Sequence, residues 1–357
     1  MKEISAILEK GIAGRLFQAA TFRVFDAEAT RFETSAGECN ISSIFDVASI
    51  TKIFTALIFS RLRTDGVLSE ETKLKDLAFL DAPPDKGEIT LRMLLSHTSG
   101  LPDYLPLYQQ FVPGEARIAL WERGKAAEKV ADEILTTPLA HRPAGRIRYS
   151  DTGYILLGFI IEHLSASPLE KLLEVHVTGP LGLSDTCFKP IARYHQCETG
   201  RFVSAGFCPL RGREIVGEVE DLNCYVLGGV SGHAGLFSTG YDLERLGREL
   251  FRCRSGSNSI IGSGELSFLL EEVRDESGSR RRVGFDVPAL QDSLAGRYFS
   301  DHSGGHLGFP GVSIWLDFAR GTGMVFLANR VYYHGDLQKF NDLRRIVHDR
   351  AWEYLGL

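Results

Sequence analysis

Asp46-Val47-Ala48-Ser49-Ile50-Thr51-Lys52-Ile53-Phe54-Thr55-Ala56 is the stretch on which the reading of this chain turns. A helix begins near Ser49, because Ile50, Ile53, Phe54, Leu57, Ile58 and Leu62 recur at helical spacing and form an apolar set wide enough for burial on most sides. It stops before Asp65-Gly66. Ser49 and Lys52 stand three residues apart in its first turn, so hydroxyl and amine share a face and lie within mutual reach. Serine is a poor nucleophile at its free pKa. A lysine desolvated by apolar neighbours loses part of its preference for the ammonium form and can help remove the proton. The helix N-terminus favours negative charge at Ser49 Oγ. A Ser-x-x-Lys arises by chance on the order of once in a chain this long, so the pair needs support from elsewhere in the sequence.

Working outward, residues 3–13 place apolar and charged side chains at helical spacing. Ala20-Thr21-Phe22-Arg23-Val24-Phe25 and Ala29-Thr30-Arg31-Phe32-Glu33-Thr34 then read as period-2 strands about a turn at Asp26 to Glu28. From about residue 68 the texture changes to short helical pieces and Pro/Gly loops, including Ala82-Pro83-Pro84 and Ser99-Gly100-Leu101-Pro102. Strands return at 311–317 and 323–329 about the turn 318–321, and a helix over about 336–354 closes the chain. This order predicts an α/β (α+β) fold, with one domain made from both termini and a mainly helical domain inserted between its halves.

Composition removes other classes. The chain has 357 residues, 44% hydrophobic and 24% charged, as expected of a globular protein with about two domains. Lys+Arg 40 against Asp+Glu 46 gives a net charge of -6, without the basic excess of a nucleic-acid binder. The dense basic run Arg280-Arg281-Arg282 reads as a solvated loop. Charges interrupt the apolar positions of Met1 to Lys10, so no secretory h-region is present there, and the expected location is the cytoplasm. No run of 18 apolar residues predicts a membrane span. The six cysteines form no Cys-x-x-Cys pair and read as inert thiols. His195-Gln196-Cys197 offers too few ligands for zinc, so neither metal nor cofactor is expected.

Further motifs follow Ser49-x-x-Lys52 in order. They are Leu94-Leu95-Ser96-His97-Thr98-Ser99-Gly100-Leu101-Pro102, Arg148-Tyr149-Ser150-Asp151-Thr152-Gly153-Tyr154, Leu227-Gly228-Gly229-Val230-Ser231-Gly232-His233-Ala234-Gly235-Leu236-Phe237-Ser238-Thr239 and Gly305-His306-Leu307-Gly308-Phe309. As a set over roughly residues 10–330 they resemble the penicillin-recognising serine hydrolases, the branch with class C β-lactamases, D-alanyl-D-alanine peptidases and esterases. The resemblance implies the β-lactamase-like two-domain fold, an antiparallel sheet flanked by helices made from residues 1–70 and 212–357, with a mainly helical domain, 71–211, inserted and Ser49 at the junction. It also implies an acyl-enzyme on Ser49, with Lys52 sharing its proton and Tyr149 as general base and then general acid. The backbone N–H groups of Ser49 and Phe309 would form the oxyanion hole. A phenol with an ordinary pKa of about 10 needs nearby positive charge for such a role, and Lys52 is the evident source. Ser96 and His97, as neighbours in sequence, do not face one another, so a capping role is expected of that segment. His233 reads as structural support near the site, with Asp221 and Asn223 bracing its loop.

Two motifs depart from the family pattern. Its third motif usually carries Lys-Thr-Gly, which helps hold a substrate carboxylate, and here His306, Leu307 and Gly308 stand there. A histidine near its ordinary pKa is mostly neutral at pH 7, and leucine donates no hydrogen bond. Asp151 replaces the asparagine that usually ends the second motif. Facing Lys52, it would hold the lysine as an ammonium and disfavour anionic substrates, unless Arg146 or Arg148 turned inward to offset it. With Asp151, His306, Leu307 and Gly308 lining the site, the expected activity is acyl transfer on a small ester or amide. β-Lactamase or D,D-carboxypeptidase activity on β-lactam-like substrates is the alternative, and a non-catalytic binding protein of this fold is the reading from another class. Oligomeric state is not legible.

Overall fold

The computed structural model describes residues 2–112, 118, 122–193, 200–256, 259 and 261–356. The chain opens with helix α1 (Lys2–Ala13) and the hairpin β1 (Ala19–Asp26) and β2 (Thr30–Gly37). Asp26 makes that turn by accepting the backbone N–H groups of Glu28 and Ala29 at 2.8 Å each, the local competition with regular structure that aspartate performs well. Strand β3 (Phe45–Asp46) leads into α2 (Thr51–Thr64), followed by α3 (Leu91–Leu95), α4 (Arg123–Thr136), α5 (Asp151–Ser165), α6 (Leu169–Leu173) and α7 (Gly179–Leu181). Next come β4 (Cys187–Phe188), α8 (Pro190–Arg193), the hairpin β5 (Ser204–Cys208) and β6 (Arg213–Val216), α9 (Leu222–Val226) and β7 (Leu236–Ser238). The last part holds α10 (Gly240–Arg254), α11 (Ser263–Leu269), β8 (Glu272–Arg274), β9 (Arg280–Arg282), β10 (Ser303–Gly308), β11 (Val312–Asp317), β12 (Thr322–Ala328) and α12 (Leu337–Tyr354).

Strands from the two ends of the chain join in one antiparallel sheet of order β10-β11-β12-β1-β2. Alternate side chains serve opposite faces, as period 2 requires. Phe22, Trp315 and Phe326 pack with Leu8 of α1 and Phe340, Val347 and Trp352 of α12, whereas Ile314, Leu316 and Val325 pack with α2 and with Leu243 and Leu246 of α10. The second cluster continues into α3, α4 and α5 through Leu94, Ile134 and Ile155, so one apolar core underlies both the sheet and the middle helices. α2 lies within that core, with every residue from Thr51 to Ser60 buried, which is why its apolar set runs round the helix instead of forming one stripe.

One expectation changes: Arg280-Arg281-Arg282 is not a solvated loop but the strand β9, paired with β8, and Arg281 faces inward. Beyond the strands expected at 311–317 and 323–329, the glycine-rich Ser303–Gly308 adds an edge strand to the main sheet. His195-Gln196-Cys197 lies outside the described residues. No group of His, Cys, Asp or Glu among the described residues could hold a metal, and no described helix is long and apolar enough to cross a membrane.

Candidate active site

Ser49 lies in a 3-10 turn, Ala48–Ile50, that runs directly into α2 and puts Lys52 in the first helical turn. The turn is entered through a left-handed residue, Ala48 at φ 43, a conformation that costs a side chain about 1–2 kcal/mol. Asp46 secures it, with one carboxylate oxygen accepting the Ala48 N–H at 2.8 Å and the other the Glu220 N–H at 2.8 Å. Burial pushes the Asp46 carboxyl up to about 6.

Lys52 is 1% exposed, and a buried ammonium must find partners. It donates to Ser49 Oγ at 3.1 Å, to the Asp151 carboxylate at 2.7 Å and to the His233 carbonyl at 3.1 Å, which uses all three N–H groups. Burial works to lower its pKa, but Asp151 and Tyr149 together outweigh it and the net shift is upward, so Lys52 rests as an ammonium. Tyr149 Oη donates to Ser49 Oγ at 2.8 Å from the opposite side. Burial raises the Tyr149 phenol and Lys52 pulls it back down, with the balance above the ordinary value. Ser49 Oγ thus sits between a fixed cation and a neutral phenol.

The second motif is tied in place by side chains. Ser150 caps α5 by accepting the Gly153 N–H at 3.0 Å, and its own N–H donates to His97 Nδ1 at 3.0 Å. His97 is 2% exposed, with left-handed backbone at φ 59 and its ring 4.8 Å from that of Tyr149. The Ser96–Thr98 segment contacts the second motif chiefly through its histidine, whose ring accepts the Ser150 N–H and whose carbonyl accepts the Arg148 N–H at 2.9 Å. Burial, then the nearby Arg281 and Lys52, push His97 well below its usual pKa, so it stays neutral. His233 also braces. It bonds Ser231 Oγ at 2.8 Å and Asp221 at 3.1 Å, and the loop it holds presents the Gly232 carbonyl to Thr55 and its own carbonyl to Lys52. Asn223 joins this loop to the segment after the first motif by accepting the Tyr108 N–H and donating to the Leu105 carbonyl.

The third motif forms the other wall. His306 and Gly308 face the nucleophile, whereas Leu307 packs against the cluster beneath α1 and α12 on the far face of the sheet. Its expected place as a site-lining side chain is therefore corrected, because odd and even residues of a strand point oppositely. A Cβ at Gly308 would stand 2.9 Å from the Val47 carbonyl oxygen, so only glycine lets β10 close on the Ser49 turn. The N–H groups of Ser49 and Phe309 are without hydrogen-bond partners among the described residues. The Gly308–Phe309 peptide is oriented by a turn in which Gly311 N–H donates to the Gly308 carbonyl at 3.0 Å. His306 is 3% exposed, donates through Nδ1 to the Leu307 carbonyl at 2.6 Å, and is pushed well below its usual pKa by burial and then by Arg281. It stays neutral and supplies no cation.

Neither candidate for offsetting Asp151 does so. Arg148 pairs with Asp103 at 3.0 Å at the surface, and Arg146 is exposed. The inward cation is Arg281, whose guanidinium carbon lies 5.4 Å from the centre of the Tyr149 ring. Composition hid it in a basic run. Period-2 alternation within that run, which places the middle arginine on the opposite face from its neighbours, is the signal that could have found it.

Known proteins bear on this geometry. The family model described as Beta-lactamase matches residues 4–349. A protein of Escherichia coli O157:H7 described as "Putative D-alanyl-D-alanine carboxypeptidase" is 30% identical over 307 residues, 81% of this chain and 69% of that one. The solved D-amino acid amidase from Ochrobactrum anthropi is similar with a TM-score of 0.72 at 22% identity, covering 99% of this chain and 98% of that one. A hydrolase with promiscuous acyltransferase activity is similar with a TM-score of 0.72 at 17% identity, covering 97% of each chain.

Proposed function

The chain belongs to the Beta-lactamase family, and on that premise we propose that it is a serine hydrolase that passes the acyl group of a small ester, amide or peptide-like substrate to water through an acyl-enzyme on Ser49. The observation that carries this reading is the convergence of Lys52 Nζ and Tyr149 Oη on Ser49 Oγ, at 3.1 and 2.8 Å. In the reactive protonation state Tyr149 is a phenolate stabilised by the adjacent ammonium. It takes the Ser49 proton as Oγ bonds to the substrate carbonyl carbon. The developing oxyanion is received by the N–H groups of Ser49 and Phe309, preorganised donors of the kind that stabilise tetrahedral anions most effectively. As the carbon–leaving-group bond breaks, the Tyr149 phenol returns the proton to the leaving oxygen or nitrogen. Water then attacks the acyl-enzyme along the reverse path, with Tyr149 as base and Ser49 as the leaving group.

The wall formed by the third motif supports uncharged substrates over penicillins and D-alanine termini. Neutral His306 and the averted Leu307 leave neither the cation nor the hydroxyl that a substrate carboxylate would meet in a Lys-Thr-Gly strand. The test is reaction of wild type and Ser49→Ala with a fluorophosphonate probe and a short-chain nitrophenyl ester. Wild type labels and turns over and the variant does neither. Absence of both in wild type would overturn the reading in favour of a binding protein, and rapid nitrocefin hydrolysis would shift it to a β-lactamase.

A further inference from the structure

The three arginines of β9 have unequal surroundings. Arg280 pairs with Asp301 at 2.6 Å, and Arg282 donates to the carbonyls of Leu270, Asp301 and Ser303. Arg281 points the other way, with a side chain as buried as that of Arg280, and among the described residues its ion pair is a loose 3.4 Å contact with Asp286. It makes no hydrogen bond among the described residues. A guanidinium carries five donors; those of Arg281 meet few protein acceptors, although none of its nitrogens is both buried and unpartnered. One of its neighbours is the Tyr149 ring at 5.4 Å, within the range over which a cation is attracted to an aromatic face.

Asp286 fixes the distance between Arg281 and the third motif. Its N–H donates to the Gly305 carbonyl at 2.8 Å and its carbonyl accepts the Gly305 N–H at 3.1 Å, so the segment after β9 is stitched to the edge of β10. The titratable and charged groups around Tyr149 can be named. Lys52 stands 4.8 Å from the ring, Asp151 lies beside Lys52, His97 and His306 lie at 4.8 and 5.8 Å and are neutral, Tyr154 packs on His97 at 5.0 Å with its phenol raised by burial, and Arg281 stands with Asp286. Lys52 is compensated by Asp151 at 2.7 Å, whereas Arg281, the second cation near Tyr149, is paired more loosely with Asp286 at 3.4 Å.

We infer that Arg281 is a positioning residue for Tyr149, a guanidinium delivered from β9 against the face of the phenol ring that orients it and favours its phenolate in a chain whose third motif has no lysine. The inference rests on the proposed role of Tyr149 as the base, and the experiment below separates the two. Tyrosine labelled with carbon-13 at Cζ is incorporated into wild type, Arg281→Met and Arg281→Lys, with Tyr149→Phe assigning the resonance. The Tyr149 titration midpoint is expected to rise by about one pH unit in Arg281→Met and to return most of the way in Arg281→Lys. The acidic limb of kcat/KM on a nitrophenyl ester is expected to move with it, an approximately tenfold loss on that limb. A midpoint that stays put in Arg281→Met, with the thermal transition preserved, overturns the inference, as does an Arg281→Lys that behaves like Arg281→Met. If the midpoint moves but wild type has no esterase activity, Arg281 keeps its role and the proposed function fails.

Discussion

The two walls about Ser49 are built by different physics. The helical wall, Tyr149 to Asp151 with His97 and the His233 loop, is held by side-chain hydrogen bonds between residues far apart in sequence. The strand wall, His306 to Phe309, is held by the backbone ladder with β11, and it reaches the nucleophile because Gly308 has no side chain. Changes on the helical wall should therefore act on where protons reside, and changes on the strand wall on whether the oxyanion donors meet the reacting carbonyl. A pH–rate profile distinguishes the two, since the first moves its limb and the second lowers its plateau.

Gly308→Ala tests the strand wall and should have the largest effect. The new Cβ would lie 2.3 Å from Val312 Cγ2 and 2.9 Å from the Val47 carbonyl oxygen, and the second contact can be relieved only by moving β10 away from the Ser49 turn. Withdrawing one oxyanion donor costs about 10²- to 10³-fold in kcat. The expected outcome on a nitrophenyl ester is a loss in that range with the limb of the profile unmoved and a lowered thermal midpoint. A moved limb at full plateau would break the distinction between the walls.

These walls also differ in how far the sequence reveals them. Ser49-x-x-Lys52 and the helix after it are plain because their signals, an apolar period and a spacing of three, are local. The hairpin at Asp26 and the closing strands 312–317 and 322–328 are plain for the same reason. β10 hides because its requirement is for absent side chains. A Cβ at Gly305 would meet the Ile314 carbonyl oxygen at 2.3 Å, so the strand is rich in the residue that strand propensity counts against. Leu307 was placed in the site by motif position, whereas its face is set by the alternation of a strand that the glycines conceal. Arg281 was concealed by the charge of its neighbours, because composition averages over a run whose members face opposite ways. His97 gives no local signal of its role, since its partner is the Ser150 N–H across 53 residues.

Asp151→Asn tests the helical wall and should act next most strongly. The Asp151 carboxylate raises both Lys52 and Tyr149. A base works only when deprotonated, so activity is gained as pH rises through its pKa, and a lowered pKa moves that limb to lower pH. Removing the carboxylate's charge should therefore shift the acidic limb of kcat/KM on an uncharged ester downward by about one unit, about tenfold more activity at a fixed pH on that limb. Asparagine retains an oxygen to accept from Lys52, so the fold should hold and the plateau should change little. An upward shift would show that Asp151 acts through the orientation of Lys52 and not through its charge.

The smallest effect is expected where both walls are altered toward a carboxylate-bearing substrate. Asp151→Asn removes a repelling charge, and adding His306→Lys restores a cation to the third motif, so the rate of penicillin acylation should rise. Two features limit the gain. Position 306 is buried beside Arg281 and Lys52, so a new ammonium there meets two like charges and loses part of its charge to desolvation. Position 307 faces the far side of the sheet, so the hydroxyl that usually accompanies the motif lysine remains absent. A several-fold increase in the acylation rate is the expected outcome, roughly 1 kcal/mol, most of it already present in Asp151→Asn alone. The measurement is the second-order rate of nitrocefin or labelled penicillin acylation in both variants. A double variant no faster than wild type would mean that the electrostatics of the helical wall do not set substrate choice, and that the geometry of the β10 edge does.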